Sequence, residues 1–352
     1  MSEIKGKKAF FAAVNSGEGF VSMFGEIFFG ERIKRRYVIK GGPGTGKSSF
    51  MRRVGAFFEK QGAEVEYYYC SSDTGSIDGV IINGEIAILD GTAPHSYDTV
   101  APGYVDHIID LGRFWREDSL LKNSSELIRL SERKKTAYSR GYGFLAAALK
   151  ADFVADKLIF PCVTADKMRS AAARDVARLG LSRKGEIITR QTEAFGTSGS
   201  TYLPTYTDSA ARVHYVEDIC GISSLYLGQI EQIAKKMGYE ALVSYDTLNR
   251  GKIREIFFTE TADCFTSIDQ PLSDEWAKIN MKRFIDVSAF SEIRRIYRAT
   301  VQCKERLKQL AEEMLADAGR VHAEMEKYYV SAMDFSELEK YCAEFIDKLS
   351  AL

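Results

Sequence analysis

Gly41-Gly42-Pro43-Gly44-Thr45-Gly46-Lys47-Ser48-Ser49 stands between an apolar segment, Tyr37-Val38-Ile39, and a stretch carrying Phe50, Met51, Val54, Phe57 and Phe58 on one helical side. The segment before it predicts a short buried strand, and the stretch behind it a helix from about Ser48 to Lys60. In that strand–loop–helix setting, G-x-x-x-x-G-K-[ST] describes a phosphate-binding loop rather than a glycine-rich turn. Glycines let backbone N–H groups converge on an anion with no Cβ in the way. The helix N-terminus adds unpaired donors and a partial positive charge. Gly42, Pro43, Gly44, Thr45, Gly46, Lys47, Ser48 and Ser49 are therefore expected to hold a nucleoside triphosphate, ATP. Lys47 would reach the β- and γ-phosphates and the Ser48 hydroxyl would hold Mg²⁺.

Working outward, strands are expected at about Val65–Tyr69 and Ile86–Leu89, with a short helix at Ile77–Ile82 between them. This alternation predicts an α/β fold with a mainly parallel sheet flanked by helices. Ligands on such sheets bind at the carboxyl ends of the strands, where Cys70, Ser71, Ser72, Asp73 and Asp90 fall.

The chain also contains a worn copy of itself. Glu64–Cys70 lies over Glu240–Asp246 at an offset of 176, which holds through Gly75 over Gly251 and Val80-Ile81-Ile82 over Ile256-Phe257-Phe258. Upstream, Tyr37-Val38 matches Tyr215-Val216, Gly46-x-Ser48-Ser49 matches Gly221-x-Ser223-Ser224, and Asn15–Phe20 matches Thr197–Tyr202. Two tandem P-loop NTPase-like domains follow: residues 1–160 with the intact loop, a basic helical connector at 161–190, and 191–352 with a degenerate loop. That second loop counts three residues fewer between its tyrosine and serine, has lost most glycines, and carries Glu217, Asp218 and Ile222. Carboxylates there repel a triphosphate, so this half is expected to be nucleotide-silent.

Ser291–Tyr329 and Asp334–Leu349 predict long C-terminal helices, read as a hairpin on the second domain, with a partner-binding or self-associating coiled coil as the lesser option. In the connector, Lys167, Arg169, Arg174, Arg178, Arg183, Lys184 and Arg190 face only Asp175 and Glu186. They read as a solvated face, or as the source of one arginine for bound phosphates or a nucleic-acid strand.

The 352 residues, 45% hydrophobic and 28% charged, allow two ordinary domains with sizeable cores. A net charge of −1 gives no pull toward nucleic acid. No apolar run approaches a membrane span, and MSEIKGKKAFFAAV carries no signal-peptide pattern. Six scattered cysteines without a C-x-x-C pair fit a reducing compartment, so a cytoplasmic protein is expected.

Asp90 closes the apolar run Ile86–Leu89 and is the first candidate for a strand-end carboxylate on Mg²⁺. Its position in the copy is taken by Thr266. Asp73 and Asp78 are candidates to orient a water or an acceptor hydroxyl, or serve as turn and cap residues. In Gly91-Thr92-Ala93-Pro94-His95, Thr92 and His95 are candidates to touch a phosphate or the catalytic water.

The stretch from Tyr37 to Ser48, together with Ile88–His95, resembles the first half of a bacterial family of tandem P-loop ATPase-like proteins. The resemblance implies ATP binding at Gly42–Ser49 and roles for Asp90, Thr92 and His95. The departure at Ile219–Ser224 argues against a two-site mechanism. A Mg²⁺-dependent ATPase is the leading expectation. A nucleotide or small-molecule kinase, with Asp73 near the acceptor, and a nucleotide-controlled scaffold are the alternatives.

Overall fold

The computed structural model describes residues 7–94, 97–182, 184–269, 273 and 275–351. The chain forms an α/β structure with two six-stranded sheets of the same topology. In the first, the strands follow the order Lys8–Phe11, Val65–Tyr69, Ile77–Ile82, Ile86–Asp90, Arg35–Lys40 and Asp106–Asp110. In the second the order is Ile187–Thr189, Ala241–Tyr245, Ile253–Phe258, Asp263–Thr266, Arg212–Val216 and Ala277–Ile279. Each sheet is parallel except for its third strand, which runs antiparallel to both neighbours.

That third strand corrects the expected helix at Ile77–Ile82. All six of its residues are buried, because sheet and helices cover it on both faces. With one acid, Asp78, among six buried residues, the segment has no polar side whose period could tell helix from strand.

The two halves repeat one strand order, and the ladders shift the register of the sequence matches. Val38 pairs with Leu89 as Tyr215 pairs with Thr266, so Tyr215 is the counterpart of Val38, not of Tyr37. The same ladders carry Asp90 onto Ser267 instead of Thr266. Ser16 faces Gly19 across its hairpin as Gly196 faces Gly199, an offset of 180 that moves the earlier match by two positions. On the helices, Phe50, Met51 and Val54 are buried like Tyr226, Leu227 and Ile230. Lys47 therefore corresponds to Ser223, not to Ile222, and the second loop is shorter by one residue only. Matched identities misplaced it; hydrogen-bond register and burial fix it.

The two sheets share a core. Phe10, Val38, Tyr68 and Leu89 of the first pack in one cluster with Val213, Phe257 and Cys264 of the second, and Phe28 and Tyr206 of two short helices join them. Each hairpin crosses over: Thr197 N donates to Ser72 O (3.0 Å) and Gly17 N to Leu248 O (3.1 Å).

The outer faces are covered by exchange. Helix Ser124–Ile159 leaves the first half, and the helix after it, Ala165–Ala177, buries Met168, Ala171, Ala172 and Val176 in the second core. Helix Val287–Ala332 returns antiparallel to it, and Phe335–Ser350 buries Leu338, Cys342, Phe345, Ile346 and Leu349 in the first core. The long pair closes on small residues: a Cβ on Gly141 would come 3.0 Å from Leu315 Cδ2. This corrects two expectations. The C-terminal helix belongs to the first core, and the basic connector is an amphipathic helix of the second. Its cations find partners nearby: Arg178 bonds Asp175 (3.1 Å), Lys167 bonds Arg283 O (2.9 Å), and Arg190 lies 3.7 Å from Glu66. Arg183 lies outside the described residues.

Candidate functional site

Strand Arg35–Lys40 is flanked on both sides by parallel neighbours, so the loop 41–46 leaves the carboxyl edge of the sheet between Asp90 and Asp110. Helix Lys47–Lys60 begins directly behind it, with Gly46 as its N-cap. Gly44 (φ +67°) and Gly46 (φ +79°) are left-handed, a region where a side chain is strained. A Cβ on Gly44 would also meet Val330 Cγ2 at 2.8 Å and Glu326 O at 3.2 Å. Thr45 Oγ1 donates to Gly42 O (2.9 Å) and braces the turn. Lys47 Nζ folds back on its own loop, donating to Gly41 O (3.1 Å) and Gly42 O (2.7 Å), and sits 3.5 Å from Asp90 Oδ2. Both side chains are 13% exposed, enclosed yet reachable.

Asp90 Oδ1 accepts from Thr92 N (2.8 Å) and Thr92 Oγ1 (2.5 Å), which leaves Oδ2 toward Lys47. Burial pushes the Asp90 carboxyl above its usual range, while Lys47 and Thr92 pull it down. The charge of buried Asp78 adds to the upward push, which places that acid beside the site. Ser48 Oγ accepts from Ile77 N (3.0 Å), tying the start of the helix to the third strand. Asp73 is engaged locally, Oδ1 with Gly75 N (3.0 Å) and Oδ2 with Ser76 Oγ (3.0 Å), so here it is a turn residue. The structure thus gathers Lys47, Ser48, Asp78, Asp90 and Thr92 and leaves Asp73 on the adjoining loop. His95 lies outside the described residues.

Sequence reasoning missed what covers the loop. Trp115 and Tyr329 lie against Gly42, Glu326 and Val330 against Gly44, and Leu338 against Gly46. The Trp115 indole N–H is buried with no hydrogen-bond partner among the described residues. One turn from Glu326, His322 meets Lys134 of the other long helix, Nδ1 to Nζ 3.5 Å. Only the antiparallel packing of residues far apart in the chain places these groups here.

The equivalent position in the second half is filled by the protein itself. Asp218 Oδ1 accepts from Ser223 N (3.1 Å), a carboxylate on the helix start where an anion would bind. Arg254 stands in register with Asp78 and lies 3.6 Å from Glu193. Beneath them Glu255 is fully buried and accepts from Thr192 Oγ1 and Tyr202 OH. Burial pushes its carboxyl up to about 7, against those hydrogen bonds. The folded protein therefore keeps a proton that the unfolded chain releases near the ordinary glutamate value. Its stabilising effect is complete at acid pH and is lost as pH rises through about 7. Relative to wild type, Glu255→Gln should gain about 3 kcal/mol of stability between pH 5 and 8. Urea melts at the two pH values check this; parallel pH profiles for both proteins would refute it.

Among the described residues, no group of three or more His, Cys, Asp and Glu side chains is arranged to hold a metal ion. Mg²⁺ still fits the first site, because it takes oxygen ligands and is ordinarily held by one or two protein groups plus phosphates and water. Ser48 Oγ and Asp90 Oδ2 are such oxygens. Among the described residues no helix is long and apolar enough to cross a membrane. No family model matches the chain, and neither curated proteins nor solved structures give a match.

Proposed function

We propose that the first half binds Mg²⁺–ATP and hydrolyses it, while the second half binds no nucleotide. The observation that carries this reading is the loop with two left-handed glycines that opens a helix at the carboxyl edge of a parallel strand, with Lys47 3.5 Å from Asp90. The amides of 42–46 and Lys47 would hold the phosphates, Ser48 and Asp90 the metal, and Asp78 would order a water. Held by Ser48 and Asp90, the metal would supply neutralisation of the phosphate charge. The resemblance at Tyr37–Ser48 points the same way. Asp218 on the second helix start supports the silence of the second half.

Purified protein given Mg²⁺–ATP and no acceptor should release phosphate. Turnover only with an added acceptor would move the reading to a kinase. The close cover of Glu326, Tyr329 and Val330 over the loop favours one alternative, a scaffold whose long helices respond to ATP with slow turnover. Asp90→Asn should lower Mg²⁺-dependent turnover by roughly 10²-fold. Its fold should survive, since a buried carboxyl without its charge is no longer penalised. Unchanged turnover would remove Asp90 from the metal site.

A further inference from the structure

We propose that Lys134 and His322 form a helix-borne half of the phosphate site, with the Lys134 ammonium contacting the terminal phosphate of bound ATP. The proposal rests on the reading of loop 41–49 as an ATP site. Both groups sit on the face of the long helix pair that covers the loop. His322 lies one turn from Glu326, whose Cγ would be 3.0 Å from a Cβ on Gly44. Lys134 lies one turn from Leu130, which packs with Val321 and Met325.

The Asp73 charge acts on His322, but among the described residues no ion pair engages Lys134. Lys134 is half-buried, and among the described residues no carboxylate lies within ion-pair distance of it. Its Nζ meets His322 Nδ1, 3.5 Å away. Burial and the charge of Lys47 hold the Lys134 ammonium below its usual range. Burial, then the Lys134 charge, holds the His322 imidazole below its usual range, with the Asp73 charge pulling the other way. Lys134 and Lys47 are two ammonium groups that act on one another in a half-buried place, and such cations repel unless an anion joins them.

The second half provides the comparison. Trp115 bridges Met333 as Val163 bridges Ile285, which sets the two long helices at an offset of 170. At that offset Lys134 corresponds to Lys304, and His322 to Asp152. Lys304 lies 3.4 Å from Asp152, which also takes Lys252 at 2.7 Å and Asn249 at 2.9 Å. In the silent half the protein supplies the anion from this position. In the first half an imidazole stands there, and the cation is left for a ligand.

A diphosphate ends short of Lys134, so the contact should separate ATP from ADP. Calorimetric titration of the full chain with Mg²⁺–ATP and Mg²⁺–ADP tests this. Lys134→Met should weaken ATP binding by about tenfold or more and change ADP binding by less than about twofold. Lys304→Met should keep the wild-type ratio of the two affinities. Equal losses for both nucleotides in Lys134→Met, or no loss, would overturn the proposal while leaving the loop as the site. Wild type that binds neither nucleotide would overturn the reading of the loop itself. Should Lys134→Met fold poorly, Lys134→Arg keeps the charge and should keep the ATP preference; loss of the preference there also refutes the contact.

Discussion

Lys47→Ala should bring ATP hydrolysis to background and weaken ATP binding by roughly 10²-fold or more, while the protein stays folded. The side chain makes few contacts that hold the fold together. Its ammonium donates to the carbonyls of Gly41 and Gly42, which belong to the same loop, and faces Asp90. Alanine removes the cation nearest Asp90, and the buried carboxyl answers by keeping its proton rather than by unfolding the site. The backbone cradle survives because Gly44, Gly46 and the Thr45 brace are untouched. What disappears is the cation proposed for the β- and γ-phosphates, which no other residue of this loop supplies. Circular dichroism should show a native melt beside the lost phosphate release. A variant that still turns over ATP at the wild-type rate would remove the loop from the chemistry. That outcome would leave the fold description intact.

The glycine loop and its flanking strand and helix were legible because each rests on local chemistry: left-handed glycines, one lysine, and apolar residues at helical spacing. The duplication was legible too, but only to within one or two positions. Tyr37 was matched to Tyr215 because the letters agree, whereas the ladders pair Tyr215 with Val38. Ile77–Ile82 was unreadable for a different reason, since a strand buried on both faces shows no alternation. The amphipathic face of Phe335–Ser350 was visible in the sequence, but which core it enters was not. That depends on where the long helix before it ends, and helix Val287–Ala332 is about 70 Å long, enough to carry the chain back across the molecule. Lys134 and His322 share this opacity. Each is an ordinary residue on a charged helix until the packing of two helices brings them face to face.

The exchange itself makes the second large prediction: Phe345→Ala should destabilise the protein by about 3–5 kcal/mol and impair the nucleotide site. Phe345 lies seven residues from the end of the chain, yet its ring packs at 5.0 Å on Tyr37 and 5.2 Å on Phe50. Tyr37 is in the strand that leads into the glycine loop, and Phe50 is in the first turn of the helix that leaves it. A cavity at Phe345 therefore loosens both supports of the loop at once, and collapse around it is resisted by Cys342, Ile346 and Leu349 on the same helix. Met168→Ala gives the counterpart. At the offset of 170 Met168 occupies the place of Leu338, but in the second core, against the half proposed to bind no nucleotide. It should cost about 2–5 kcal/mol of stability and leave ATP affinity near wild type. Urea denaturation with and without ATP separates the two. Loss of less than about 1 kcal/mol in Phe345→Ala would mean that the C-terminal helix is not part of the first core. Equal damage to ATP binding from Met168→Ala would mean that the two cores do not divide the work as the exchange requires.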